Sequence, residues 1–157
     1  MLDSQGEVAG DPSQAPTLSA GIPLRLSHFF LPDTFIWEEN RYNVADREDA
    51  QGIAAVVEYC QQPDKQLELR LENKFKNVEF EVGQANTSAG SSQTLIADVA
   101  TNGSQADVRR IAFNEIQSFS IPAEGVNALT IDFYLDSEEP NCGDESVIGV
   151  LLNAELR

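Results

Sequence analysis

Gln66-Leu-Glu-Leu-Arg-Leu-Glu-Asn-Lys-Phe-Lys-Asn-Val-Glu-Phe-Glu-Val-Gly83 is the stretch on which the fold turns. Leu67, Leu69 and Leu71 alternate with Glu68, Arg70 and Glu72, the period-2 pattern of a strand with one buried face. Glu72-Asn73-Lys74 is a polar reversal, and Asn73 suits the left-handed region. Val78, Phe80 and Val82 then alternate with Glu79 and Glu81. The stretch reads as strand, tight turn, strand: a hairpin with one apolar and one charged face. Gly83 closes it, where the chain needs a positive φ or a close backbone approach.

Downstream, short strands follow at regular spacing. They run from Thr94 to Thr101, Ala106 to Phe113, Ile116 to Ile121, Ala128 to Leu135 and Val147 to Leu156. Asn102-Gly103 between the first two is a strong hairpin signal. Upstream, Ile53 to Cys60 is β-branched and apolar and reads as a buried strand, with Ala54 and Ala55 leaving helix open. Gly21 to Leu26 reads as a first edge strand, because Pro23 cannot donate to a ladder. Glu38 to Gln51 is charged and irregular, with a short helical turn expected at Ala45 to Ala50. Nine or ten short strands without a long helix predict an all-β sandwich or barrel. Residues 1–20, rich in Gly, Pro, Ser, Gln and Asp, read as a tail or linker, leaving one domain over 21–157.

The same stretch resembles the central segment of NPCBM (novel putative carbohydrate-binding module, NEW2-like) domains, which are galactose-binding-like jelly rolls. Asn73-Lys74-Phe75-Lys76 is similar to the family's basic-aromatic turn, and Val82-Gly83 to its strand end. Further on, Leu95 to Gly103, Ile116 to Ile121, Gly125 to Ile131 and Asn153-Ala-Glu-Leu156 follow the family pattern in order. The sequence departs from it at Gln84, Ala85 and Asn86, where the family carries an Asp pair. It departs again at Val147-Ile148-Gly149, where the family has an aromatic. The resemblance implies a jelly-roll β-sandwich and a non-catalytic module that binds glycan. It also implies a structural calcium.

Composition narrows the function. The net charge of −16 repels phosphate backbones and anionic lipid, so nucleic-acid and membrane-surface roles are disfavoured. No apolar run is long enough to span a bilayer, and Met1-Leu2-Asp3-Ser4 lacks the start of a signal peptide. An exported or anchored parent would make this chain a fragment. The single His28 stands without a nucleophile elbow, phosphate loop or metal motif, which points away from an enzyme.

Sugar binding needs aromatic faces together with carboxylates or amides. Trp37, Tyr42 and Tyr134 are the aromatic candidates, with Glu38 and Asn40 beside the first two. The plain alternative for Trp37, inside Phe35-Ile36-Trp37, is a place in the core. Asp136, Glu138 and Asp144 supply the oxygen donors that a calcium ion would take, and the alternative is a solvated acidic loop. Cys60 and Cys142 are either a disulfide, which implies an oxidising compartment, or two free thiols. Two readings of function follow. One is a carbohydrate-binding module of an exported or cell-surface protein. The other is an extracellular sensor or protein-interaction domain of a membrane-anchored protein, whose partner is another protein.

Overall fold

The computed structural model describes residues 17–60, 64–89 and 92–157. Most of the tail expected at 1–20 lies outside them. The described residues form nine strands: β1 (Glu38–Val44), β2 (Arg47–Val57), β3 (Lys65–Arg70), β4 (Asn77–Gln84), β5 (Leu95–Thr101), β6 (Ser104–Ile111), β7 (Ile116–Pro122), β8 (Ala128–Leu135) and β9 (Val147–Leu156). They make two antiparallel sheets, ordered β1-β2-β9-β4-β7 and β3-β8-β5-β6, a jelly-roll β-sandwich. No helix among the described residues is long and apolar enough to cross a membrane.

The hairpin expected over Gln66–Gly83 is not one. β3 pairs with β8 in one sheet and β4 pairs with β7 and β9 in the other. The reversal at Glu72 (φ 54°) and Asn73 (φ 57°) is an arch that carries the chain across the sandwich. Its backbone is satisfied from elsewhere. Leu71 N–H donates to Asn127 O, Asn73 N–H to Val126 O, and Lys76 N–H to Arg157 O. The Asn73 side chain accepts from Gly125 N–H at 2.6 Å. The apolar sides of both strands therefore meet: Leu67 and Leu69 from one sheet, Val78, Phe80 and Val82 from the other, all buried in one core.

Trp37 belongs to that core. It is 2% exposed, its ring lies 5.5 Å from that of Phe133, and its Nε1–H donates to Gln66 O at 3.1 Å. This corrects the reading of Trp37 as a sugar platform: the indole has both an apolar bed and a buried hydrogen-bond partner, the usual arrangement for a core Trp. Phe80 stacks on Phe119 with centroids 4.8 Å apart. Cys60 and Cys142 are joined in a disulfide, which ties the chain just after β2 to the β8–β9 loop.

The charged segment Glu38–Gln51 is also a correction. The helical turn expected at Ala45–Ala50 is absent: the segment is most of the β1–β2 hairpin, reversing near Ala45 (φ 52°), with Arg47 onward already in β2. Strongly polar residues persist there because β1 is an edge strand with much of its surface in water. β2 pairs with β9 only as far as Gly52. Beyond it the hairpin tip reaches β4, where Val44 bridges Ala85. The Asn86 side chain holds the tip at both the N–H and the C=O of Ala45. Val44, Ala54, Ala85, Val150 and Leu152 form a second, smaller apolar cluster on the outer side of the five-stranded sheet. Alongside the end of β9, Gly21 N–H and Leu24 N–H donate to Leu156 O and Ala154 O. The edge strand expected at Gly21–Leu26 is thereby reduced to a bridge between Pro23 and Glu155.

Candidate functional site

Where the small apolar cluster stops, the outer face of the five-stranded sheet becomes polar. Strand alternation turns Glu79 and Glu81 of β4, Ser118 and Ser120 of β7, and Asn153 and Glu155 of β9 away from the core. β4 and β9 lose register between Glu79 and Glu81, because Glu79 faces Glu155 while Glu81 faces Leu152. The extra residue makes a β-bulge in β9 with Asn153 at φ 50°, a left-handed conformation that Asn tolerates. Asn153 Nδ2 then donates to Glu81 Oε1 at 2.7 Å.

Glu81 is the centre of this face. Arg47, delivered by the β1–β2 hairpin, donates to both of its carboxylate oxygens at 2.5 and 3.2 Å. That hydrogen bond holds the Glu81 carboxyl below its ordinary range against the opposing effect of burial, and Asn153 adds to it. The same contact raises Arg47. Arg157 donates to Glu79 Oε1 at 3.1 Å and pairs with Glu155 at 3.0 Å. Arg109, from the edge of the other sheet, donates to Ser118 O at 3.0 Å with its guanidinium over the Phe119 ring.

Two surface cavities meet at Glu81. One of about 540 Å³ is lined by Glu79, Ser118, Ser120, Asn153, Arg109 and Arg157 among others. The second, about 590 Å³, is lined by Ala45, Asp46, Arg47, Asn114 and Ile116. Together they make a groove whose walls carry carboxylates, hydroxyls, amides and guanidinium groups on fixed strands. Chemically it offers both hydrogen-bond donors and acceptors to a polar ligand.

The residues singled out in the sequence lie elsewhere and do not converge. Glu38, Asn40 and Tyr42 share one side of β1, at the opposite edge of the sheet from β7. The Tyr42 hydroxyl donates to Glu38 O at 3.1 Å, and burial with the Glu38 charge pushes its pKa up to about 12. Tyr134 sits on the outer side of the four-stranded sheet and donates to Asp98 Oδ2 at 3.2 Å. Burial, then Asp98, push it to about 12. Asp136 is buried and ion-paired with Arg110, which also reaches Glu138 at 3.6 Å. Glu138 N–H donates to Asp136 Oδ1 at 3.0 Å. Asp144 is exposed farther along the loop. Among the described residues no group of three or more acidic, His or Cys side chains is placed to hold a metal ion. Sequence reasoning did not single out Arg47, Glu79, Glu81, Ser118, Ser120 and Asn153 as site residues. Their one signal is the polar half of each alternation.

No family model and no curated protein matches the chain. Solved structures do. The chain is similar to CBM51 from the Clostridium perfringens GH95 protein in complex with methyl-galactose, at 16% identity and TM-score 0.53, over 76% of this chain and 81% of that one. It is also similar to CBM51-2 with the INT domains of Clostridium perfringens ZmpB, at 8% identity and TM-score 0.58, over 77% of this chain and 27% of that one. The tandem CBM51 modules of the family 98 glycoside hydrolase Sp3GH98 from Streptococcus pneumoniae match at 12% identity and TM-score 0.56, over 76% of this chain and 40% of that one. The chain thus spans well under half of the latter two. At these identities the likeness establishes the shared jelly-roll fold.

Proposed function

We propose that the chain is a non-catalytic carbohydrate-binding module of NPCBM type, belonging to an exported or cell-surface protein, with its glycan in the groove over β9, β4 and β7. The observation that carries this is Glu81. Its carboxylate is held by Arg47 and Asn153, 22% exposed, at the junction of two cavities. Such an oriented acceptor, flanked by Ser118, Ser120 and guanidinium donors, suits sugar hydroxyls. The structural neighbours named as carbohydrate-binding modules and the Cys60–Cys142 disulfide support the reading. A glycan array probed with the native protein and with Glu81→Gln tests it. Binding by the native protein that the substitution weakens is the expected result. An array with no glycan bound overturns it.

One observation favours a protein-interaction role instead. Phe35 is fully exposed, and Leu31 and Ile36 beside it are exposed as well. The loop is fastened rather than loose: Phe35 N–H donates to Asp33 Oδ1, and Ile36 and Trp37 N–H donate to Asp33 O. An anchored apolar tip is a common feature of protein docking surfaces. Capture of a protein partner lost with Phe35→Ser, while Glu81→Gln has no effect, would establish this reading.

A further inference from the structure

We infer that the groove takes an internal stretch of a linear, uncharged glycan, rather than a single terminal sugar or an acidic polysaccharide; this rests on the carbohydrate reading proposed above. Three observations carry it.

The first is length. Both cavities are lined by Glu81, and their other lining residues run from Asn114 and Ile116 to Ser120 and Arg157. Ile116 to Ser120 alone is four strand steps, about 13 Å, more than one sugar ring. Both cavities lie open on the sheet surface, so the groove does not enclose a ligand end.

The second is charge. Glu81 is paired with Arg47, and Glu79 and Glu155 with Arg157. Arg109 is paired with Asp107 at 3.0 Å. The lining sets Arg47, Arg109 and Arg157 against Glu79, Glu81, Glu155 and Asp46, so it holds no spare cation for an anionic ligand and keeps a small acidic excess. The surrounding net charge of −16 repels polyanions.

The third is the lack of a stacking platform. The two aromatics that touch the groove, Phe80 and Phe119, are each 2% exposed and stacked on each other within the core. Recognition therefore rests on hydrogen bonds that replace those to water, each adding only about 0.5–1.5 kcal/mol. One sugar gains little, and several sugars held in line gain enough.

The test is calorimetric titration of the whole chain with cello-, xylo- and β-1,4-galacto-oligosaccharides, each from the monosaccharide to the hexasaccharide, and with oligogalacturonates. Amide chemical shifts are followed alongside. For at least one neutral series, affinity is expected to climb roughly tenfold from disaccharide to tetrasaccharide, about two added hydrogen bonds, and then to level off. The shifts should map to Glu81, Ser118, Ser120 and Asn153. Ser120→Trp, which fills the groove from an exposed position, should abolish binding and leave the melting temperature unchanged. A monosaccharide that binds as tightly as its tetrasaccharide, or oligogalacturonate preferred over every neutral chain, overturns this inference and leaves the carbohydrate module standing. Binding with shifts confined to loops away from these four residues overturns the placement of the site. Failure of all series, together with a blank glycan array, overturns the carbohydrate reading itself.

Discussion

Asp98 and Asp132 lie directly opposite one another on β5 and β8, both on the outer side of the four-stranded sheet and both buried. Their hydrogen-bond partners are neutral: Gln66 Nε2 donates to Asp132 at 2.6 Å, and Gln105 Nε2 and the Tyr134 hydroxyl donate to Asp98. Like charges opposed across strands are unfavourable. Burial, and then the Asp98 charge, raise Asp132 above its ordinary value despite Gln66. The folded chain therefore keeps the Asp132 proton to higher pH than the unfolded chain does. Between those two pKa values the folded state binds more protons, so stability falls as pH rises through the window and stays reduced above it. Asp132→Asn keeps an acceptor for Gln66 and removes the charge. It should stabilise the domain at neutral pH by up to about 1 kcal/mol and flatten that decline. Urea melts of both proteins across mildly acidic to neutral pH measure it, and an unchanged slope would contradict the coupling.

Glu81 behaves in the opposite sense. Its folded pKa is depressed by Arg47, so the stabilisation is present above the unfolded carboxylate range and is lost as pH falls through the lower folded value. Arg47→Ala should return the Glu81 titration, followed by carboxyl carbon shifts, toward its ordinary range. The stability cost should be small, about 1 kcal/mol or less, since the pair is partly solvated. The groove also loses a wall, so on the carbohydrate reading proposed above glycan binding should fall more than stability does. Equal losses of both would mean that Arg47 serves the fold alone.

The fold was far more legible in the sequence than the site. Ala128–Leu135 and Val147–Leu156 were read with the bounds they have, because alternation and flanking turns coincide there. Asn102-Gly103 does turn a hairpin, with φ 50° and 83°. The arch at Glu72–Asn73 could not be told from a hairpin, since alternation shows which side of a strand is buried and not which strand pairs with it. Trp37 was open to two readings until Phe133 and Gln66 were brought beside it from distant parts of the chain. The groove draws on strands separated in sequence, and its orientation depends on a bulge at Asn153 that no local pattern announces.

Gly83 was expected to mark either a positive φ or a close approach, and the close approach is what it makes. A Cβ there would run into Val44 Cγ1 and lie 3.2 Å from Glu115 O. Val44 is the residue that seats the hairpin tip, and with it Arg47, on the sheet. Gly83→Ala should cost about 1–3 kcal/mol by overpacking and, on the carbohydrate reading proposed above, weaken glycan binding by moving Arg47. Val44→Ala in the same chain should recover part of the stability. Denaturant melts of the single and double variants check this, and strict additivity would show that the two residues do not press on each other.

The Cys60–Cys142 bridge closes a loop of 82 residues that includes β3 through β8. A cross-link over that span restricts the unfolded chain strongly, so its removal should cost about 2–5 kcal/mol. The Cys60→Ser/Cys142→Ser double variant should melt lower and, when folded, keep the chemical shifts of Glu81, Ser118 and Asn153, which lie on a different part of the sandwich. Reductant should lower the melting temperature of the native chain to that of the variant and leave the variant unaffected. Equal melting temperatures of native and variant proteins under oxidising conditions would show that the bridge does not contribute, and would remove the support it lends to an exported location. A bridge that does contribute makes the chain's stability depend on an oxidising compartment.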